Sequence, residues 1–332
     1  MYTQHYGLTD RPFQLTPDAR YWFDSRTHKK AMAYLGYGLA QGEGFITITG
    51  EIGAGKSTLA AHLLATVDRE RLNAVSLVST QVEGDDMLRL AAQGFGLATE
   101  GLAKAQILDR MEQLLAEEAA RGKRSLLIVD EAQSLATSAL EELRMLSNFT
   151  RQGRALLQIF LLGQPEFRER LAEEGLEQLR QRVIATHHLD AMEANEVEPY
   201  LVHRLTVAGW QGRPGFDPSA FAALHRHSGG IPRRLNQLAN RVLLYGALEN
   251  IDGIDASAVE AVAADMASDK PQPRMTAVPS APEGIRDREL ERRVAQLEGR
   301  LEEQEVVLRR VLTLLVDWVE NTSAPGYRSN AA

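Results

Sequence analysis

Residues 50–57, Gly-Glu-Ile-Gly-Ala-Gly-Lys-Ser, have the spacing of a phosphate-binding loop. An alternating apolar segment at 44–49 precedes the loop and a helical pattern follows it, as a loop between a strand and a helix requires. Such a junction directs consecutive backbone N–H groups and a helix N-terminus at one point, where polyphosphate binds. Lys56 would then reach the β- and γ-phosphates, and the Ser57 hydroxyl would ligate Mg²⁺. The candidate binding residues for a nucleoside triphosphate are Gly50, Glu51, Ile52, Gly53, Ala54, Gly55, Lys56, Ser57 and Thr58.

Asp130 and Glu131 follow the apolar run 126–129, so two acids end a predicted strand. If this strand lies beside the phosphate-binding loop, one carboxylate can enter the Mg²⁺ shell and the other can polarise a water. We assign the metal role to Asp130 and the general-base role to Glu131. Paired acids also occur as solvated strand ends, and the loop upstream favours the catalytic interpretation.

Four further polar residues lie where a phosphate site could use them. Gln164 ends the next predicted strand and could orient the attacking water, or cap the following helix. Arg180 and Arg182 precede the fifth predicted strand; either could stabilise charge on a neighbouring subunit's nucleotide, or be an ordinary surface arginine. Arg233 opens a predicted helix and could fold back onto the phosphates.

The elements that must position these residues alternate between strands and helices. Several strands are continuous apolar runs, typical of strands covered by helices on both faces. An ordered lead-in segment, 1–27, precedes an α/β domain at 28–190 that begins with a helix at about 28–41. Its sheet is predicted to be five-stranded and mostly parallel. The predicted strands are 44–49, 74–79, 125–129, 156–162 and 183–188.

The strand signals stop after Asp190, and a small helical lid domain is predicted at 191–267. Its predicted helices are 193–208, 217–227, 232–248 and 255–267. Residues 268–286 are rich in proline and small residues, which predicts a flexible linker.

A heptad pattern at 287–320 follows the linker and predicts a coiled-coil helix, before a disordered tail at 321–332. Its flanking charges fit a parallel dimer, while the apolar face that broadens from Val307 favours more strands or docking on a partner helix. The other interpretation is a solitary amphipathic helix packed on the parent domain. The heptad positions are Leu290, Val294, Leu297, Leu301, Gln304, Leu308, Val311, Leu315 and Trp318.

Composition narrows the classes of function. The chain has 332 residues, 44% of them hydrophobic, and a net charge of −8, so no global attraction to nucleic acid or anionic membrane is expected. The absence of cysteine excludes disulfides, thiolate zinc sites and cysteine nucleophiles. Neither a signal peptide nor an apolar run of membrane-spanning length is evident. The expected location is the cytoplasm, with contact to the inner membrane through a partner.

The ordered motifs resemble the AAA+ superfamily, in particular ATPases of the general secretion pathway A type. They are most similar to the ATPase associated with exosortase A, or PEP-CTERM, loci. The resemblance covers residues 1 to about 250. Besides the loop at 50–57, it is carried by Tyr6-Gly-Leu8, Pro12-Phe13, Thr16-Pro-Asp18, Glu43-Gly-Phe45, Asp130-Glu-Ala-Gln133, 141–149, Leu162-Gly-Gln-Pro-Glu166, Leu179-Arg-Gln-Arg182 and Gly229-Gly-Ile-Pro-Arg-Arg234.

The resemblance implies a P-loop NTPase of AAA+ fold that uses ATP and Mg²⁺ and forms a ring or partial ring with copies of itself. It also implies residue roles that spacing could not assign. These are Walker A for Lys56 and Ser57, Walker B for Asp130 and Glu131, sensor 1 for Gln164, arginine finger for Arg182 with Arg180 as the alternative, and sensor 2 for Arg233.

Three functions remain open on this evidence. The first is ATP hydrolysis that drives a Gram-negative envelope system for secretion and exopolysaccharide, reached through the C-terminal helix. The second is an ATP-dependent DNA-binding regulator resembling transposition ATPases, against which the net charge of −8 argues. The third is a nucleotide-gated scaffold with little turnover. Secretion ATPases of this type often continue into a transmembrane helix and a peptidoglycan-binding domain, where this chain has the linker and heptads.

Overall fold

The apolar runs form a sheet because each is short, continuous and followed by a turn and a helix. The computed structural model describes residues 2–16, 18–78 and 82–268, which lie in one unit spanning Met1–Asp269. The heptad helix at 287–320, the tail at 321–332 and the linker beyond Ser268 lie outside the described residues. The strands are β1 (Phe45–Gly50), β2 (Leu72–Val78), β3 (Arg124–Asp130), β4 (Thr150–Arg151), β5 (Arg154–Ala155), β6 (Leu157–Gly163), β7 (Val183–Leu189), β8 (Gly215–Phe216) and β9 (Gly253–Ile254).

Five of these strands make one sheet in the order β2-β3-β6-β1-β7, with every neighbouring pair parallel. All residues of β1 and β6 are buried, as expected of strands covered by helices on both faces. The five predicted strands and the parallel α/β class are therefore confirmed. From β1 the chain passes to the edge strand β2, returns through β3 and β6, and then crosses to β7 on the other side of β1. Ligands of open parallel sheets bind at the carboxyl ends of the strands where the connections change direction in this way.

Helices cover both faces of the sheet and continue beyond it. Here β1 alternates its contacts: Phe45 joins the core of one face, while Ile46 and Ile48 join the core of the other. The helices are α1 (Tyr2–Tyr6), α2 (Arg26–Gln41), α3 (Lys56–Thr66), α4 (Gly84–Gly94), α5 (Lys104–Ala120), α6 (Thr137–Leu146), α7 (Pro165–Arg170), α8 (Glu177–Arg180), α9 (Ala194–Val207), α10 (Pro218–Ser228), α11 (Pro232–Leu248) and α12 (Ala256–Ser268).

The region after β7 is built from α9–α12 around a third core. The expectation that no strand follows Asp190 was wrong in one respect, because β8 and β9 pair in parallel over two residues each. Such short strands give no detectable alternation in a sequence. The proposed lid boundaries at 191–267 stay a prediction.

The N-terminal segment packs into the core of this helical region. Tyr6, Leu8 and Phe13 are buried there together with side chains of α9–α12. The Tyr6 hydroxyl donates to the Ile251 carbonyl at 3.0 Å, and Arg204 Nε donates to the Pro12 carbonyl at 2.6 Å. The lead-in segment is therefore an integral part of the fold. Among the described residues, no helix combines the length and apolarity that crossing a bilayer requires.

Candidate functional site

The candidate site lies at the carboxyl ends of β1, β3 and β6, which the parallel register brings to one edge of the sheet. The predicted phosphate-binding loop connects β1 to α3. Gly53 has φ of +88° and Gly55, which precedes the helix, has φ of +103°, a region that favours glycine. A Cβ added at Gly53 would stand 2.4 Å from Arg233 Cβ, so a larger residue has no room there.

Lys56 begins α3 and its ammonium group turns back into the loop. Its Nζ donates to the Gly50 carbonyl at 2.6 Å and to the Glu51 carbonyl at 3.1 Å. Burial lowers the pKa of Lys56, and the nearby Glu131 and Asp130 carboxylates oppose that shift. The cation is thus held at the centre of the loop by backbone oxygens, which a phosphate oxygen could replace as its partner.

Ser57 and Asp130 meet although 73 positions separate them in the sequence. The Ser57 hydroxyl donates to Asp130 Oδ2 at 2.6 Å, and the Asp130 side chain is buried at the end of β3. A hydroxyl and a carboxylate oxygen at one point are the ligand types that Mg²⁺ prefers, so the residues fit this ion. The structure therefore brings the two predicted metal ligands together.

Glu131 projects beside this pair and is held by two amides. Its Oε2 accepts hydrogen bonds from Gln133 Nε2 and, at 3.3 Å, from Gln164 Nε2. Gln133 Oε1 also accepts from the Gln164 backbone N–H at 2.9 Å, which links the ends of β3 and β6. The φ of Glu131 is +56°, a left-handed conformation that costs a non-glycine residue roughly 1–2 kcal/mol. The carboxylate is thus held in one orientation.

The charge state of Glu131 follows from its partners. Burial favours the protonated form, but the amides of Gln133 and Gln164 and the cations of Lys56 and Arg233 together hold the pKa of Glu131 below its ordinary value. The carboxylate is therefore ionised at neutral pH and can accept a hydrogen bond or a proton.

The helical region reaches the loop through the first turn of α11. The Arg233 backbone N–H donates to the Gly53 carbonyl at 3.1 Å, and both residues line one cavity with Lys56, Ser57 and Gln164. This cavity, of about 190 Å³, is closed on its other side by the N-terminal segment. Arg233 thus lies where the sequence predicted it.

Several side chains of this cavity were missed by the sequence reasoning. Tyr200 donates to Asn236 Oδ1 at 2.8 Å, and the Arg204 guanidinium lies 4.7 Å from the centre of the Tyr21 ring. Leu15 lines the same cavity and is 58% exposed, as is Ile52 of the predicted loop. Aromatic and apolar surface next to a phosphate-binding loop suits a nucleobase. Apart from Ile52, no sequence spacing marks these residues, since they converge from three separate segments.

His28 lies directly beneath the loop. Its Nδ1 is 2.7 Å from Ser25 Oγ, and a Cβ added at Gly55 would stand 2.6 Å from its Nε2. Burial lowers the pKa of His28 to about 4, although Glu196 and Asp24 act in the opposite direction. The ring is therefore neutral at physiological pH and packs as part of the loop's support.

Arg182 lies at the opposite end of the sheet from the cavity. Its carbonyl accepts from the Phe45 N–H at the start of β1, and its guanidinium donates to the Ser147 carbonyl at 3.3 Å and hydroxyl at 3.1 Å. Arg180, in contrast, is exposed on α8, and its ion pair among the described residues is a contact of 3.7 Å to Glu177. Neither arginine lines the cavity of its own chain.

Comparisons with known proteins agree with this geometry. Residues 39–171 match the family model described as AAA domain. The chain is 40% identical over 245 residues to General secretion pathway protein A of Aeromonas hydrophila. The match covers 74% of this chain but only 44% of that protein, so the chain spans less than half the length of this relative.

Solved structures of similar fold include two origin recognition proteins. The Aeropyrum pernix ORC2 protein in ADPNP–ADP complexes superposes with a TM-score of 0.58 at 17% identity, covering 77% of this chain and 71% of that one. The Drosophila ORC bound to DNA gives a TM-score of 0.55 at 16% identity, covering 80% and 65%. Identities this low establish the fold alone. The chain therefore has the P-loop AAA fold and contains an AAA domain.

Proposed function

We propose that this AAA-domain chain, a relative of General secretion pathway protein A, binds ATP with Mg²⁺ and hydrolyses it. The observation that carries the proposal is the convergence of Lys56, Ser57, Asp130 and Glu131 at one edge of the sheet, beside the cavity. A cation, two metal-ligand oxygens and a fixed carboxylate are the groups that phosphoryl transfer to water requires.

The loop residues bind and orient the phosphates. Lys56 exchanges the carbonyls of Gly50 and Glu51 for phosphate oxygens, and the loop N–H groups are directed at the same point. Ser57 and Asp130 would hold Mg²⁺, whose contribution when bound is to neutralise the charge of the phosphate oxygens. Tyr21, together with the apolar rim, would receive the base.

Glu131 acts on the attacking water. Its carboxylate accepts a hydrogen bond from the water and takes up the proton at Oε1 or Oε2 as the water oxygen attacks the γ-phosphorus. The bond from this phosphorus to the oxygen that bridges the β- and γ-phosphates breaks, and ADP leaves. Gln164 and Gln133 are positioning residues, because they hold this carboxylate and keep it ionised. Gln164 is also directed toward the cavity, where it can orient the water.

A second copy of the chain completes the site. Of the cations that line the cavity, Lys56 and Arg233 act on Glu131, whereas the Arg204 guanidinium is bound to the Pro12 carbonyl. A cation for the leaving charge would come from the neighbour. We assign this role to Arg180 rather than Arg182, because Ser147 already binds the Arg182 guanidinium. Hydrolysis would then require assembly into a ring or partial ring.

The contact between Arg233 and Gly53 couples the nucleotide to the helical region. Loss of the terminal phosphate would release Arg233 and let α9–α12 rotate with the N-terminal segment that packs on them. We propose that this motion drives a Gram-negative envelope system for secretion and exopolysaccharide, of the exosortase-associated type, at the inner-membrane periphery. The partner would bind the heptad segment at 287–320. The relative's name supports the secretion role, and sequence resemblance alone supports the exosortase link.

ATP hydrolysis measured over a range of protein concentrations tests the enzymatic proposal. We expect activity per chain to rise with concentration, nucleotide affinity to fall about tenfold to a hundredfold in Lys56→Ala, and turnover to fall about 10²- to 10⁴-fold in Glu131→Gln with binding retained. Lys29→Ala and Glu112→Gln, exposed residues of α2 and α5, are the matched controls. Activity that survives both site variants would refute the assignment.

Crosslinking in envelope fractions tests the coupling role. We expect a crosslinked partner with the full chain that is lost when residues 287–320 are deleted and kept when residues 321–332 are deleted. A partner retained without the heptads would show that another surface couples the chain. Normal partner binding without measurable ATP turnover would favour the nucleotide-gated scaffold.

A further inference from the structure

A second cavity, of about 700 Å³, opens at the amino end of the sheet. We call it the amino-end cavity; it is lined by the last turns of α2 and α5, the first residues of β3 and β6, and the β4–β5 hairpin. Because β1 has six residues, about 20 Å of strand separates this cavity from the phosphate-binding loop. It is therefore a separate site.

The rim of the amino-end cavity is basic in a chain whose net charge is −8. Arg124, Arg151, Arg154 and Lys123 line it, against one carboxylate from Glu43. Lys123 is 3.6 Å from the buried Glu118, whereas the three arginines have no ion-pair partner among residues 2–16, 18–78 and 82–268. Exposed arginines are common on protein surfaces, so the rim alone does not define a site.

The hairpin holds two of these arginines directly opposite each other. Arg151 and Arg154 are cross-strand partners in the antiparallel β4–β5 pair. Gln152 and Gly153 both have positive φ, of 52° and 76°, which makes a tight turn and fixes this register. Like charges at directly opposed positions destabilise a hairpin. An anion between the guanidinium groups would remove that repulsion.

The floor of the cavity carries two buried polar groups without partners. Ser125 and Gln158, on the neighbouring strands β3 and β6, are each 3% exposed and line the cavity. Gln158 Nε2 donates to the Gly44 carbonyl at 2.9 Å, but Gln158 Oε1 and Ser125 Oγ have no hydrogen-bond partner within the part of the chain that the structure describes. Buried polar groups are nearly always paired, so these oxygens call for a donor from outside.

We propose that the amino-end cavity binds a phosphorylated small molecule that also carries hydroxyl or amino groups. The arginines would hold the phosphate, since a guanidinium group matches phosphate oxygens in a bidentate manner. The ligand's hydroxyl or amino hydrogens would donate to Gln158 Oε1 and Ser125 Oγ on the floor. The volume of about 700 Å³ lies within the range of small-molecule sites, and a recessed floor suits a compact ligand better than an extended polymer.

Calorimetric titration of the full chain with ribose 5-phosphate tests this proposal. The Lys56→Ala background removes the lysine through which the phosphate-binding loop would hold the same probe. We expect binding that weakens with added salt, falls at least tenfold in Arg151→Gln/Arg154→Gln, and falls several-fold in Ser125→Ala. Arg110→Gln/Arg168→Gln, which changes exposed arginines of α5 and α7, is the charge-matched control and should bind as the background does. Thermal unfolding of each variant verifies its fold.

Three competing probes give outcomes that would overturn the inference. If inorganic phosphate bound as tightly as ribose 5-phosphate, Ser125 and Gln158 on the floor would contribute no affinity for the ligand's other groups. A hexaglutamate peptide or a DNA duplex that binds more tightly than ribose 5-phosphate would show that the cavity serves a macromolecule. Binding that is unchanged in the double arginine variant would place the probe elsewhere on the chain.

Discussion

At the carboxyl end of the sheet, Lys56, Ser57 and Glu131 are hydrogen-bonded to groups of the same site. At the amino end, Ser125 and Gln158 keep buried oxygens unpaired, and arginines face one another across a hairpin. The difference teaches how the two ends could work. Polar groups that satisfy each other are preorganised and need little rearrangement to act on a reacting atom. Buried polar groups without partners carry an uncompensated desolvation cost, which a hydrogen bond to an incoming ligand would offset.

The largest expected effect is on ATP turnover, and it distinguishes Arg180 from Arg182. Arg180→Ala should lower ATP turnover about a thousandfold without changing stability, because an arginine finger contributes roughly 10³ or more to the rate. Arg182→Ala should instead lower the free energy of unfolding by about 1–2 kcal/mol, through the lost bonds to Ser147.

Turnover assays and urea unfolding of both variants, with Arg168→Ala as the control, measure this contrast. A large loss of turnover in Arg182→Ala with unchanged stability would reverse the assignment and restore Arg182 as the arginine finger.

His28 should make the carboxyl end sensitive to acid. Its pKa is depressed to about 4, so the folded protein resists a proton that the unfolded chain accepts at about pH 6.5. Stability from this group is fully present above about pH 6.5 and is lost as the pH falls toward about 4, by about 3 kcal/mol at most.

Urea unfolding at about pH 7.5, 5.5 and 4.5 measures the effect. The variant His28→Gln should lose less stability over the same interval than the unmodified chain. Equal acid sensitivity of the two proteins would contradict the role given to His28.

Gln133 tests whether the carboxyl end depends on its internal hydrogen bonds. Gln133→Leu should lower kcat about tenfold to a hundredfold while KM changes little, because Glu131 loses its stronger orienting partner. The lost amide should also raise the pKa of Glu131 and move the acidic limb of the pH–rate profile to higher pH. Gln113→Leu, on the exposed face of α5, makes the same chemical change far from the site. If the acidic limb of the pH–rate profile did not move in Gln133→Leu, Gln133 would contribute to packing and not to the pKa of Glu131.

The smallest effect concerns the facing arginines of the hairpin. Arg154→Gln should raise the free energy of unfolding by about 0.2–1 kcal/mol at low salt, since it removes a like-charge pair. The gain should shrink as salt is added. Arg110→Gln, an exposed arginine of α5, is the control for net charge. Destabilisation by Arg154→Gln at low salt would show that the two charges do not repel in the folded chain.

Much of the fold could be predicted because its signals are local. The apolar runs of β3 and β6 indicate burial on both faces, which a covered parallel sheet provides. The strands of two residues each, β4, β5, β8 and β9, are too short for any period to appear. Whether a polar residue such as Gln133 contacts Glu131 also depends on a turn geometry that composition does not encode.

The sequence by itself determined the phosphate-binding loop, the two acids and the strand–helix order. These features rest on residue type and spacing, such as the glycines that allow the positive φ angles at 53 and 55. Only the tertiary structure brought Ser57 to Asp130, placed His28 under the loop and enclosed the cavity with the N-terminal segment. It alone showed that Ser147 binds the Arg182 guanidinium, and that two buried oxygens of the amino-end cavity lack hydrogen-bond partners among the described residues. The physical reason is that contacts between distant segments arise from packing of the whole chain, whereas loop and strand signals act over a few residues.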